Sequence, residues 1–166
     1  SFNSVVARPD TTWVHFSFSD DDGIVGQGEI TDTQVDQSIA PIVARLADRL
    51  RGQKLTSDSD VITLNNLTAE QLEEDVPLAT AVSGLRCAVV DALAQRAQLS
   101  LVDYLRVSFG HEGKAEQKVR LYSNINRALK PDFDGSNDRS PDGFAEMAER
   151  AMEAGFTTAK CAPFDE

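Results

Sequence analysis

The chain has 166 residues, of which 27 are acidic and 16 basic, giving a net charge of −11; apolar residues make up 41%. That apolar share supports a packed core rather than a disordered polymer, and the length suits one ordinary domain or a small domain with part of another. The negative charge argues against nucleic acid or anionic membrane as the main partner, because both would be repelled.

No stretch reaches the ~18 continuous apolar residues of a membrane span, and no charged-then-apolar leader opens the sequence. Ser1 in place of methionine points to processing or to an incomplete chain. Cys87 and Cys161 have no CxxC or CxxH neighbours, so neither a zinc site nor a disulfide framework is expected. Both lie in apolar runs and read as buried, inert thiols, which fits a cytoplasmic address.

From Thr12 to Phe18 the apolar residues Val14, Phe16 and Phe18 alternate with Trp13, His15 and Ser17, which predicts a strand. Asp20-Asp21-Asp22-Gly23 reads as a turn and Ile24–Ile30 as the returning strand of a hairpin. The aspartates lack the alternating oxygen ligands and final glutamate of a calcium loop. Ile39, Ile42, Val43, Leu46 and Leu50 recur at helical spacing, with Pro41 in the first turn and Gly52 as the stop. Thr68 and Gln71 have capping-box spacing. The longest helix is expected over Leu78–Arg96, with Leu78, Val82, Leu85, Val89 and Leu93 on one face. Ser100 caps a short helix through Tyr104 and Leu105, closed at Gly110.

After a charged linker, His111–Lys118, the pattern becomes strand, helix, strand. Val119, Leu121, Ser123 and Ile125 alternate with Tyr122, Asn124 and Asn126, and a polar loop spans Lys130–Arg139. Ser140-Pro141 opens a helix whose apolar face is Phe144, Met147, Ala148, Ala151 and Met152. Gly155 stops it, and Phe156–Ala162 reads as a second, parallel strand. One such unit cannot cover both faces of a parallel sheet, so the segment reads as the opening of a larger α/β domain.

Four features stand out chemically. Gly26-Gln27-Gly28-Glu29 reads as close packing, since no helix follows at dinucleotide-fingerprint spacing. The small residues of Ala81–Leu85 and Val90–Ala94 permit close helix approach, with Asp91 available to a base. Asn124 and Asn126 fall on one strand face near its C-terminal end, where α/β domains bind ligands; a hydrogen-bonded strand end explains them equally well. Lys160 shares a face with Thr158 and Ala162. A lysine there needs an anion or water, so it either holds a substrate carboxylate, acts as a base or snorkels to solvent. Pro163 then ends the strand.

Taken jointly, Asp22–Glu29, Ala81–Leu85 through Asp91–Ala94, Val119–Asn124 and Ala154–Lys160 resemble the enolase superfamily, in its mandelate racemase and muconate lactonizing branch. The resemblance implies an α+β capping domain over residues 1–115, an antiparallel hairpin with a helical bundle. It implies the first strand–helix–strand of a modified (β/α) barrel, incomplete, over residues 116–166. It also implies that the usual strand before the hairpin is missing and that Ser1–Arg8 belongs to a mobile loop over the barrel mouth, with Arg8 contacting substrate.

The shared chemistry of that family is removal of the proton α to a carboxylate, giving an enediolate stabilised by magnesium. Its metal ligands end the third to fifth barrel strands, so none is assigned here, Asp165 and Glu166 included. Many relatives end the second strand with Lys-x-Lys, the second lysine being the base. Lys160-Cys161-Ala162 has alanine there, and Lys-x-x-Pro-Phe looks more like the sugar-acid dehydratases, in which a later histidine is the base. Lys160 is then electrostatic or substrate-orienting, with Asn124, Asn126 and Arg8 as further substrate contacts. The expected partners are a small sugar acid and, by resemblance, further copies of the chain. The alternatives are a racemase or cycloisomerase of the same superfamily, a non-catalytic capping or assembly module, and an unrelated α/β binding protein.

Overall fold

A computed structural model describes residues 2–8, 11–32, 39–113, 118–128 and 139–162. The expected loop Lys130–Arg139, apart from Arg139, lies outside those residues, as do Pro163, Asp165 and Glu166. The chain divides into two compact units, Ser1–Ala115 and Glu116–Glu166.

The first unit opens with an antiparallel sheet of β1 (Phe2–Arg8), β2 (Thr11–Ser19) and β3 (Val25–Asp32), in that order. The hairpin forms in the register Val14↔Ile30, Phe16↔Gly28 and Phe18↔Gly26. Gly23 takes φ +82° in its turn, where the Asp20 side chain accepts from the backbone N–H groups of Asp22 and Ile24 at 3.0 and 2.9 Å. Contrary to the sequence expectation, a strand does precede the hairpin. Phe2–Arg8 is no loop: it pairs with β2 from Phe2↔Phe16 to Arg8↔Thr11, with an irregularity between Val6 and Arg8. The run Val5-Val6-Ala7 breaks strict alternation and hid the strand, although two adjacent β-branched residues favour one.

Helices α1 (Ile39–Leu50), α2 (Asp60–Leu64), α3 (Ala69–Glu74), α4 (Val76–Arg96) and α5 (Leu101–Ser108) follow. Helix α1 buries Ile39, Val43, Leu46 and Leu50, the face its 3.6-residue spacing sets up. The capping box of α3 forms in both directions between Thr68 and Gln71. Asp75 caps α4 by accepting from the Leu78 N–H, and Ser100 caps α5 by accepting from that of Asp103. Asn65 is buried between α1 and α2 and donates to the carbonyls of Val61 and Leu46 at 2.9 and 3.4 Å.

Helix α4 is the centre of this unit. By length and composition it could cross a membrane; here it buries Leu78, Ala81, Val82, Gly84, Leu85, Ala88, Val89 and Ala94. Its approach to the sheet is set by glycine. A Cβ at Gly26 would strike the Ala88 carbonyl oxygen, one at Gly28 would lie 2.6 Å from that of Gly84, and one at Gly84 would strike Ile30 Cγ2. The Gly-x-Gly of β3 is therefore a helix seat.

Among the described residues Asp91 meets no base. It accepts from the backbone N–H of Gln27 at 2.9 Å, while Gln95 donates to the Val25 carbonyl at 2.8 Å. Two side chains of α4 thus occupy backbone groups of β3, a strand at the sheet's edge, where unpaired groups would template further pairing. Arg96 pairs with Asp20 and Arg86 with Asp58. Both cysteines are exposed, against expectation: the buried stripe of α4 passes through Ala88 and Val89 and leaves Cys87 outside it.

In the second unit β4 (Ser123–Asn124) runs parallel to β5 (Ala159–Lys160). Between them lie α6 (Ile125–Ala128) and α7 (Pro141–Glu153), the latter capped by Ser140 through the Gly143 N–H. The strands are shorter than expected. Val119 and Leu121 are 75% and 68% exposed, and no third strand among the described residues pairs with this ladder. Ile125 is buried but helical, and Met152, expected on the apolar face of α7, is 71% exposed.

Gly28→Ala should destabilise the protein by about 1–3 kcal/mol through overpacking, whereas Gly113→Ala, which meets nothing within 4 Å, should change stability by less than about 0.5 kcal/mol; urea melts compare them. Burial works to raise the pKa of Asp20 but is outweighed by the Ile24 N–H, the Arg96 guanidinium and the Asp22 N–H, so the net shift is downward. The Thr56 and Ser57 N–H groups lower that of Asp60. A depressed carboxylate stabilises the fold above its unfolded pKa, and that contribution is lost as pH falls through the folded value. Asp20→Asn and Asp60→Asn should each flatten the loss of stability below about pH 4, read from Tm against pH.

Candidate functional site

The polar residues singled out in the second unit collect at the C-terminal ends of β4 and β5. The ladder pairs Ser123 with Ala159 and Asn124 with Lys160. Paired residues of neighbouring strands point to the same face, so the register brings Asn124 and Lys160 together, both exposed. Tyr122 shares their parity. The Lys160 Nζ sits 5.8 Å from the centroid of the Tyr122 ring, within cation–π range. An ammonium held against a ring face, with an amide beside it, can meet a carboxylate or hydroxyl.

Asn126 does not share the strand face with Asn124, because the backbone turns into α6 at Ile125. Its Oδ1 accepts instead from the Ala162 N–H at 2.6 Å. The Ala162 carbonyl accepts from Arg139 Nη2 at 2.9 Å, and the Arg139 guanidinium lies 5.4 Å from the Phe144 ring centroid. Arg8 closes β1 in the first unit, where its backbone pairs with Thr11.

Tyr122 and Arg139 were not singled out from sequence. Strand parity with Asn124 is a signal that finds Tyr122; nothing local to Arg139 announces a partner 23 residues away. A cavity of about 260 Å³ lined by Arg120, Leu121 and Ala154–Thr157 lies before the two strands, at their N-terminal ends. Parallel α/β sheets bind ligands at the opposite, C-terminal ends of their strands. Among the described residues no three His, Cys, Asp or Glu side chains come together to hold a metal ion.

Residues 3–105 match the family model described as "Mandelate racemase / muconate lactonizing enzyme, N-terminal domain". The chain belongs to this family. Its first unit is the α+β capping domain of mandelate racemase/muconate lactonizing enzymes, an antiparallel sheet packed on helices. Among solved structures it is similar to a crystal structure described as a "putative dehydratase from Mesorhizobium loti", at 18% sequence identity and a TM-score of 0.70. That match covers 96% of this chain and 40% of the other, so the present sequence spans less than half of that protein's length. At such identity the likeness is one of fold. No curated protein matches the sequence.

Proposed function

We propose that the chain is the N-terminal portion of an enzyme that removes the proton α to a carboxylate, and that its substrate is a sugar acid which then loses water. In this reading residues 1–115 cap the active site and residues 116–166 open the (β/α) barrel. The carrying observation is the pairing of Lys160 with Asn124 at the C-terminal ends of parallel strands, with Ala162 where a Lys-x-Lys motif would place its base. Lys160 orients the carboxylate by charge and Asn124 hydrogen-bonds a hydroxyl.

The methyl group of Ala162 accepts no proton, so the base comes from another part of the enzyme. Removing the α-proton gives an enediolate, departure of the β-hydroxyl as water gives an enol, and tautomerisation gives a 2-keto acid. Magnesium is the family's usual cofactor, but the described residues do not fit a site for it; this chain contributes binding and orientation. The same reading places the enzyme in the cytoplasm as a homo-oligomer.

A second reading rests on α5. Val102, Leu105 and Val107 on the helix and Phe109 at its C-cap are exposed, which favours a role in assembly for the 166-residue chain. Light scattering should then show self-association, and a monomer would remove this reading.

The full-length protein, mixed with magnesium and a panel of aldonic and aldaric acids, should form a 2-keto acid and incorporate solvent deuterium α to the carboxylate. Lys160→Ala should lower kcat/KM on the order of 10²-fold. Absence of both product and exchange across the panel would sink the proposal.

A further inference from the structure

The short ladder between β4 and β5 ends at Asn124 and Lys160, because the backbone beyond Asn124 coils into α6. Two residues further along each chain, at positions 126 and 162, the ladder pairs no backbone among the described residues. The Asn126 amide oxygen fills that gap, accepting from the Ala162 N–H at 2.6 Å. Arg139 holds the other side of the same peptide residue, donating to the Ala162 carbonyl at 2.9 Å. Its guanidinium is itself set over the Phe144 ring of α7. Two side chains, 36 and 23 residues away in sequence, thus converge on one alanine two residues beyond Lys160.

We propose that Asn126 and Arg139 are positioning residues for Lys160. They extend the ladder with side chains past the point where the backbone abandons it, and so hold the end of β5 at a fixed angle. Without them the strand end frays from Ala162 inward, as the last residues of a two-residue ladder do, and the Lys160 ammonium leaves the Tyr122 face. Asn126 therefore serves the site through Ala162, in place of the direct substrate contact expected from sequence. The inference rests on the reading of Lys160 as the orienting cation, but its structural half stands apart from that reading.

The test uses the full-length protein with alanine ¹⁵N-labelled and lysine ¹³C-labelled at Cε. The Tyr122 ring should shift the Lys160 Cε-methylene protons upfield, and Lys160→Arg identifies the resonance. Asn126→Ala and Arg139→Lys should speed exchange of the Ala162 amide about tenfold or more and return the Lys160 signal toward the free-lysine position. Asn126→Asp keeps an acceptor oxygen and should restore both, which a general loss of folding would not. Unchanged exchange and shift in Asn126→Ala would overturn the clamp. Faster exchange with an unmoved Lys160 signal would overturn the positioning role. Both results are read without substrate, so failure of the dehydratase assay leaves them distinguishable.

Discussion

The first unit depends on how closely one helix can lie on one strand. Gly26 and Gly28 face α4 from β3, and Gly84 answers them from the helix, so carbonyl oxygens and a methyl group occupy the space a Cβ would need. Ala81 and Ala88, both fully buried, keep the same separation along the helix. At this distance the large side chains beside the seat, Phe16, Ile30, Leu85 and Val89, close over it with little exposure. The remaining helices pack around that centre: Val43 and Leu46 of α1 and Val61 of α2 belong to the same cluster. Interiors at crystal-like density respond to a single methyl group, which makes the glycines as much a part of the core as the leucines.

The same closeness puts polar side chains of α4 within reach of backbone that a more distant helix could not serve. Asp91 and Gln95 also bond to each other at 3.1 Å, so their two contacts with β3 act as one brace. Arg96 continues the line to the hairpin turn through Asp20. These groups are exposed or half-buried, and ion pairs within reach of water contribute little stability singly. Their larger effect is on register: a one-residue slip of β3 would move Gln27 away from Asp91 and swing Gly26 and Gly28 off the helix.

Elements marked by periodicity or by capping chemistry were legible in the sequence. The hairpin, α1, the Thr68 capping box, and the caps at Ser100 and Ser140 all rest on interactions within a few residues. What was hidden depended on distant partners. Phe2–Arg8 becomes a strand because β2 accepts it, not because its own pattern insists. Cys87 sits in an apolar run yet outside the buried stripe, since a run longer than one helix face must leave some members exposed. Asp91 read as available to a base; its partner is a backbone N–H 64 residues away. Asn124 and Lys160 were each singled out, but only the ladder shows that they are neighbours.

Why strand ends resist such reading follows from the backbone itself. Within a ladder, N–H and carbonyl groups satisfy one another; where the ladder stops, polar side chains must take over or water must enter. Parallel α/β architecture also binds its ligands at those ends. An asparagine at a strand's C-terminal end therefore answers two demands with one chemical signature, and sequence alone gives both readings equal footing. Asn124 and Asn126 illustrate the separation: one stays on the strand beside a lysine, the other leaves it and bonds back to Ala162. The deciding variable is where the backbone turns. At Ile125, which is buried, the chain leaves the strand for α6, and the next residue, Asn126, accepts from the Ala162 N–H of the neighbouring strand.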